Sequence, residues 1–151
     1  MRARKVRSIR SVRDYQREAE RDPDIASAYR NTVQIWMIRI LGQLNGRRRI
    51  GEFFGIEAEE VAAAIGLELE PDEKAEDAIN GFRLAQRLRE LAGKEQPKRC
   101  ALTHNLDLLQ DALSLEEPDR VVLEFLLMMR KQPDLVKVAE LLGAGFTLGD
   151  A

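Results

Sequence analysis

The chain has 151 residues, a length that suits one domain or a small domain with an extension. Hydrophobic residues make up 44% of it and aromatic residues only 5%, so its core must consist mainly of aliphatic side chains. Charged residues make up 33%, and many of them are the Arg, Glu and Lys that favour helices with solvated outer faces.

The net charge of −2 hides an uneven distribution. Residues 1–50 carry 13 Lys/Arg and 5 Asp/Glu, whereas residues 51–151 carry 11 and 21, so the two parts have net charges of +8 and −10. The single cysteine excludes an internal disulfide framework and fits a reducing compartment. The basic N-terminus lacks the apolar stretch of a secretory signal, and the longest apolar-rich window, residues 33–44, is too short to span a membrane. We therefore predict a soluble, cytoplasmic protein.

Residues 1–22 are predicted to be a basic helical N-terminal extension. Their arginines could neutralise nucleic-acid phosphates, or they could be solvated and paired with neighbouring acids. We favour the second interpretation because no recognised nucleic-acid-binding module surrounds the segment. Apolar residues recur along it at three- and four-residue steps, the pattern of a narrow helical stripe: Val6, Ile9, Val12, Tyr15 and Ala19.

Residues 25–44 are predicted to form a central helix, because apolar side chains cover a broad face and Ile35 and Ile38 widen it. Trp36 lies on that face, so we interpret it as a core residue rather than a ligand-stacking one. Asn45-Gly46 is predicted to end the helix.

Arg47, Arg48 and Arg49 follow the predicted end of this helix. Positive charge at a helix C-terminus is stabilised by the macrodipole, by about 0.3–1 kcal/mol per charge. The functional alternative is a contact between these arginines and a phosphate or an acidic partner.

Residues 50–56 are predicted to be an apolar turn or packed loop, and residues 57–67 a short helix with Gly66 as its C-cap. This short helix resembles one limb of a helix-turn-helix. A DNA reader would need a second helix with exposed Arg, Asn or Gln, but the acidic residues 67–77 follow and would repel DNA. We therefore reject a DNA-reading helix here.

Residues 75–91 are predicted to form one helix that contains Gly81, which costs roughly 1 kcal/mol there or marks a close helix crossing. The polar link after Gly93 contains Pro97 and is the best candidate for a domain boundary. We predict a helical subdomain over residues 23–96 and a three-helix C-terminal subdomain over residues 97–151.

Cys100 and His104 stand four residues apart, a spacing that can place two metal ligands on one helical turn. A structural zinc site needs four protein ligands and a catalytic one usually three, and the chain has no other Cys or His. A Cys–His nucleophile pair lacks a third, orienting group. We assign no metal, cofactor or catalytic site.

Three further helices are predicted in the C-terminal block. The first begins at Thr103 as N-cap, the second has Pro118 in its first turn, and the third begins at Pro133. The second is apolar on nearly all sides, so it must be buried or must present a face to a partner. We predict a partner interface at Phe125, Met128 and Met129. The whole chain is predicted to be all-α, a bundle of six or seven short-to-medium helices.

The segment LDLLQDALSLEEPDRVVLEFLLMMRKQPDLVKVAELLG resembles part of the N-terminal regions of certain bacterial AAA-family ATPases. The resemblance covers about 40 of the 151 residues and consists of leucine spacing, a short turn and an acidic helix start. Ser114, Glu116 and Pro118 depart from that pattern, which would have Gly, Ser and an apolar residue there. The resemblance implies a non-catalytic region before an ATPase module, with partner or substrate recruitment as its role.

The chain contains no GxxxxGK[ST] phosphate loop, so we expect no nucleotide to be held in that manner. We also expect Ala151 to interrupt a longer protein. The predicted function is a non-catalytic interaction or regulatory domain that recruits a protein partner or substrate to an ATPase. The alternatives are a nucleic-acid-associated protein that uses the basic N-terminal segment, a small enzyme, which we consider weakest, and self-association through the apolar residues 121–129.

Overall fold

The structure is a computed structural model that describes residues 24–50 and 57–143. These residues form seven α-helices and one 3₁₀ turn, and they contain no strand, so the predicted all-α fold is confirmed. The predictions for residues 1–23, 51–56 and 144–151 lie outside the described residues. In chain order the elements are α1 Asp24–Gly42, the 3₁₀ turn Gly46–Arg49, α2 Ala58–Ala64, α3 Ala75–Ala78, α4 Gly81–Glu90, α5 Ala101–Leu113, α6 Glu117–Lys131 and α7 Pro133–Glu140.

Helix α1 lies at the centre of the molecule and packs against α4 and α7. Tyr29 and Leu41 are fully buried, and the two isoleucines that widen its apolar face, Ile35 and Ile38, are each 2% exposed. Apolar residues on almost every side of one helix are expected when other helices surround it. Trp36 is half-buried and packs edge-on against a phenylalanine of α6, so it is a core residue, as the sequence predicts.

Helix α1 ends at Gly42, earlier than its apolar pattern predicts. Leu44 lies beyond the end and is 59% exposed. Asn45 then takes a left-handed conformation with φ 57°, which turns the chain into the 3₁₀ segment.

The predicted single helix over residues 75–91 is wrong, because the structure breaks it at Asn80. The Asn80 side-chain oxygen accepts a hydrogen bond from the backbone N–H of Arg83 at 3.0 Å, so Asn80 is the N-cap of α4. Gly81 is therefore the first residue of a helix and not an interior residue. Phe82 follows the break and is 73% exposed.

The polar link before α5 is fixed to α1. The Thr32 hydroxyl donates to the backbone carbonyl of Glu95 at 2.8 Å, and the Lys98 N–H donates to the Ala28 carbonyl at 3.1 Å. One hydrophobic cluster also contains residues from both sides of the link. The division into residues 23–96 and 97–151 stays a prediction about folding units, whereas the packing is continuous across it.

The last three helices follow the predicted order, with one shifted start. Helix α5 begins after Cys100, and Thr103 lies in its first turn, where its hydroxyl accepts from the Cys100 N–H at 2.9 Å. Thr103 therefore belongs to the cap without being the N-cap itself. Ser114, with φ 51°, ends α5, and Pro133 begins α7 as predicted. Among the described helices, none combines the length and apolar character that crossing a bilayer requires.

Candidate interaction surface

A buried polar network joins α6 to the central helix. The Tyr29 hydroxyl donates to a Glu124 carboxylate oxygen at 3.0 Å, across 95 positions of sequence. Tyr29 is fully buried and Glu124 is 7% exposed. A buried carboxylate is costly unless it is paired and hydrogen-bonded, so this contact fixes the position of α6 against α1.

Arg120 extends the network to α5. Its Nε lies 3.8 Å from the Glu124 carboxylate one turn along α6, and its Nη1 donates to Gln110 at 2.7 Å and to Asp107. The Gln110 amide also donates to the Leu115 carbonyl at 3.2 Å, within the turn between the helices. Helices α5 and α6 are therefore joined as a hairpin by charged and amide side chains near its closed end.

Burial raises the pKa of the Tyr29 hydroxyl well above its usual range, and the neighbouring Glu124 carboxylate raises it further. The hydrogen bond that Arg120 donates to Asp107 raises the pKa of Arg120, because the carboxylate stabilises the charged guanidinium. Tyr29 is thus held as a neutral donor and Arg120 as a cation. Among the described residues, no buried side-chain nitrogen or oxygen lacks a hydrogen-bond partner, so this network has a structural role.

The outer part of the same hairpin is apolar. We define the hairpin surface as its six exposed large aliphatic residues, which are six of the ten exposed large hydrophobic residues in the described part of the chain. Their exposed fractions run from 39% to 61%. Contiguous exposed apolar patches are typical of interaction sites, whereas scattered single residues are common on any protein surface. The six residues are Leu108, Leu109, Leu113, Val121, Val122 and Leu126.

Four members of this surface lie close to the closed end of the hairpin. Leu109 and Leu113 are within one helical turn of Gln110, and Val121 and Val122 are within one turn of Arg120. The Gln110–Arg120 hydrogen bond holds these two turns together, so all four residues lie near the same end of the hairpin.

The predicted interface at Phe125, Met128 and Met129 needs correction. Met128 is fully buried and Met129 is 8% exposed, and both belong to the hydrophobic core. Phe125 packs edge-on against Trp36, with ring centroids 5.4 Å apart. The core of this chain therefore occupies these side chains, and the exposed apolar residues of α6 are Val121, Val122 and Leu126.

The three arginines Arg47, Arg48 and Arg49 do not form one patch. The Arg47 guanidinium packs over Gly81 at the start of α4, where an added Cβ would lie 3.3 Å from its Nη1. The Arg49 guanidinium lies against Gly143 beyond the end of α7, and Arg48 is exposed. The structure thus separates the three charges, and any contact that they make with a phosphate or an acidic partner stays a prediction.

A polar cavity of about 320 Å³ lies between α4 and the loop after α2 and is lined by Arg83 and Arg87. Both guanidinium groups are already engaged. Arg83 Nη1 donates to the Glu73 carboxylate at 2.6 Å, which lowers the pKa of Glu73, and Arg87 Nε donates to the Ile65 carbonyl at 3.0 Å. We interpret the pair as the anchor of this loop. Across residues 24–50 and 57–143, no three His, Cys, Asp or Glu residues are placed to hold a metal ion.

Comparison with known proteins finds no relative of this chain. No family model, no curated protein and no solved structure matches the chain. The resemblance to the N-terminal regions of AAA-family ATPases stays a prediction from the sequence.

Proposed function

We propose that this chain is a non-catalytic interaction domain that recruits a protein partner or substrate through the hairpin surface. The observation that supports the proposal is the exposure of six large aliphatic side chains on one helical hairpin. Such residues contribute about 25 cal/mol per Å² of apolar area that a partner removes from water. The AAA-type ATPase context is part of the proposal and comes from the sequence resemblance alone.

The charge around the hairpin surface indicates what kind of partner fits. Residues 101–126 contain six Asp/Glu and one Lys/Arg, a net charge of −5. The single basic residue, Arg120, is already paired with Asp107 and Glu124. A partner segment with both apolar and basic side chains would therefore match the surface, because complementary charge favours encounter and orientation.

Affinity capture with matched surface variants tests the proposal. The full chain is tagged and used to isolate partners from cells that produce it, with nuclease added so that nucleic acid cannot bridge proteins. Leu113→Ser combined with Val122→Ser should lose the partner, since it removes apolar contact without changing charge. Phe82→Ser is the control, because Phe82 is 73% exposed but belongs to α4.

The outcomes separate the alternatives. A partner that is retained by the hairpin variant, or lost equally with Phe82→Ser, refutes the hairpin surface as the recruiting site. A salt-sensitive nucleic acid that binds regardless of the hairpin substitutions would favour the nucleic-acid alternative. The AAA context is tested in the gene: a GxxxxGK[ST] loop encoded beyond residue 151 or in a neighbouring gene would support it, and its absence would remove that part of the proposal.

A further inference from the structure

Phe82 has the most exposed large hydrophobic side chain in the described part of the chain, at 73%. It stands two residues before Leu84, the buried residue of α4, so the helical period places the two side chains on opposite sides of the helix. The aromatic contact among the described residues joins Trp36 to Phe125, and Phe82 takes no part in it. The core of the fold therefore does not use this ring.

The Arg47 guanidinium lies at the residue before Phe82. It packs over Gly81, where an added Cβ would lie 3.3 Å from its Nη1. The Cα atoms of Gly81 and Phe82 are about 3.8 Å apart, as in any pair of consecutive residues. Within residues 24–50 and 57–143, no carboxylate forms an ion pair with Arg47. The start of α4 therefore carries an exposed aromatic ring and, one residue away, a guanidinium that no described acid neutralises.

The two segments that meet at this point are basic. The end of α1 contacts α4, since an added Cβ at Gly42 would lie 3.7 Å from the Leu84 side chain. Residues 42–50 and 80–90 together contain six Arg and one Glu, a net charge of +5, whereas the whole chain has a net charge of −2. Ion pairs with Glu73 and Glu90 occupy two of the arginines. Four have no such partner among the described residues, namely Arg47, Arg48, Arg49 and Arg89.

Acids near the start of α4 reduce this positive charge without removing it. Glu76 and Asp77 lie in α3, before the break at Asn80. Neither of them forms an ion pair with an arginine of the described residues. The corner between α1 and α4 therefore differs in charge from the acidic hairpin of α5 and α6.

An exposed ring beside unpaired arginines favours a ligand that is both polyanionic and aromatic. Arginine neutralises phosphates, and the bases of a single strand stack on aromatic side chains with little sequence preference. Because a base and its phosphate belong to one nucleotide, a single nucleotide can reach Phe82 and Arg47 together. A duplex keeps its bases inside the helix, and an acidic protein surface offers charge without a base. Single-stranded nucleic acid is the ligand that uses both groups.

We propose that Phe82 and Arg47 form a binding site for single-stranded nucleic acid. A base stacks on the Phe82 ring, and the phosphate beside it pairs with the Arg47 guanidinium. The other arginines of residues 42–50 and 80–90 attract the rest of the strand. This site lies on different helices from the hairpin surface and does not rest on the function proposed for that surface.

Fluorescence anisotropy tests the stacking contact, with labelled oligothymidylate and oligouridylate titrated with the full chain at low salt. We expect Phe82→Ala to weaken binding by about 5- to 150-fold, the loss of about one stacked base, and Phe82→Trp to retain it. A strand of the same length without bases should bind the native chain and Phe82→Ala equally. Leu113→Ala is the matched control, because Leu113 is 61% exposed but belongs to α5.

The salt dependence of binding tests the phosphate contact. Arg47→Gln should reduce the slope of log affinity against log salt concentration by about 0.7, the value for one phosphate on a single strand. Arg99→Gln removes the same charge elsewhere and should leave the slope unchanged. Its neighbour Lys98 is hydrogen-bonded to Ala28, about 21 Å along α1 from Gly42. Unchanged helical circular dichroism would show that the variants fold.

Four results would overturn the proposal. They are no binding at low salt, equal effects of Phe82→Ala and Leu113→Ala, equal slopes for Arg47→Gln and the native chain, and a Phe82→Ala effect on the strand that lacks bases. Competition by polyglutamate as strong as that by unlabelled oligothymidylate would also overturn it, in favour of an acidic protein as the occupant. Partner capture by the hairpin is measured in the presence of nuclease, so the two proposals fail separately.

Discussion

Removal of one hydroxyl group tests the buried network. Tyr29→Phe keeps the aromatic ring but removes the donor that lies 3.0 Å from the Glu124 carboxylate. Hydrogen bonds to charged groups contribute about 1.5–3 kcal/mol, and an unsatisfied buried acceptor carries a desolvation cost of similar size. The guanidinium near this oxygen, Arg120 Nε, is 3.8 Å away, which is too far to replace the lost bond. We therefore expect the free energy of unfolding to fall by about 2 kcal/mol.

Urea unfolding followed by circular dichroism measures this loss, and a thermal midpoint about 4–8 °C lower should accompany it. Glu124→Gln provides a matched background, because the amide oxygen can still accept from Tyr29 but carries no charge. In that background Tyr29→Phe should cost only about 1 kcal/mol, the value for a neutral hydrogen bond. A loss below about 0.5 kcal/mol in the native background, or equal losses in both backgrounds, would refute a charge-assisted bond as the contact between α1 and α6.

Three further predictions follow from named contacts. The folded chain holds the pKa of Tyr29 above the ordinary value of about 10, so the unfolded chain loses this proton first as pH rises. The free energy of unfolding should therefore fall above about pH 10, by up to about 1.4 kcal/mol per pH unit. Denaturant titrations at several pH values measure this slope, and Tyr29→Phe should remove the part that Tyr29 contributes. Asn80→Ala should lower the free energy of unfolding by about 1 kcal/mol, since it removes the N-cap of α4, whereas Asn80→Asp should retain most of it; equal losses would contradict the capping role. Gly46→Ala should destabilise the fold by about 1–3 kcal/mol, because its Cβ would lie 2.9 Å from the backbone oxygen of Ile40. An unchanged urea midpoint would contradict this prediction and show that the backbone of the turn can shift at little cost.

The sequence predicts the helices whose signals are local. A broad apolar face marks α1, and Pro133 marks the start of α7, because burial and proline geometry act within one segment. The break at Asn80 was harder to predict, since its side chain competes with the helix for a backbone N–H and the apolar period continues across it. The N-cap of α5 at Cys100 is hard to predict for a related reason, because threonine is a usual N-cap residue and cysteine is not.

The sequence was less informative about the candidate site. In α6 apolar residues occur on nearly every side, so periodicity cannot tell which of them face the core. The structure buries Met128 and Met129 and exposes Val122, and this choice depends on contacts with α1 and α5 that no local pattern contains. One signal was present: Glu124 is the only charged residue between Val121 and Met129, and an isolated acid in an apolar run indicates a buried partner.

That single acid also explains how α6 keeps its exposed apolar residues. A rotation of the helix that buried Val122 and Leu126 would break the Tyr29–Glu124 hydrogen bond, a loss of about 1.5–3 kcal/mol. It would also draw Met128 and Met129 out of the core, at a cost of about 1.5–3 kcal/mol for each side chain that becomes fully exposed. Burying two half-exposed aliphatic side chains would return roughly 1–3 kcal/mol. The Tyr29–Glu124 hydrogen bond and the buried methionines together outweigh this gain and fix the rotation of α6. Glu124, although inaccessible itself, therefore helps to keep Val122 and Leu126 exposed and available to a partner.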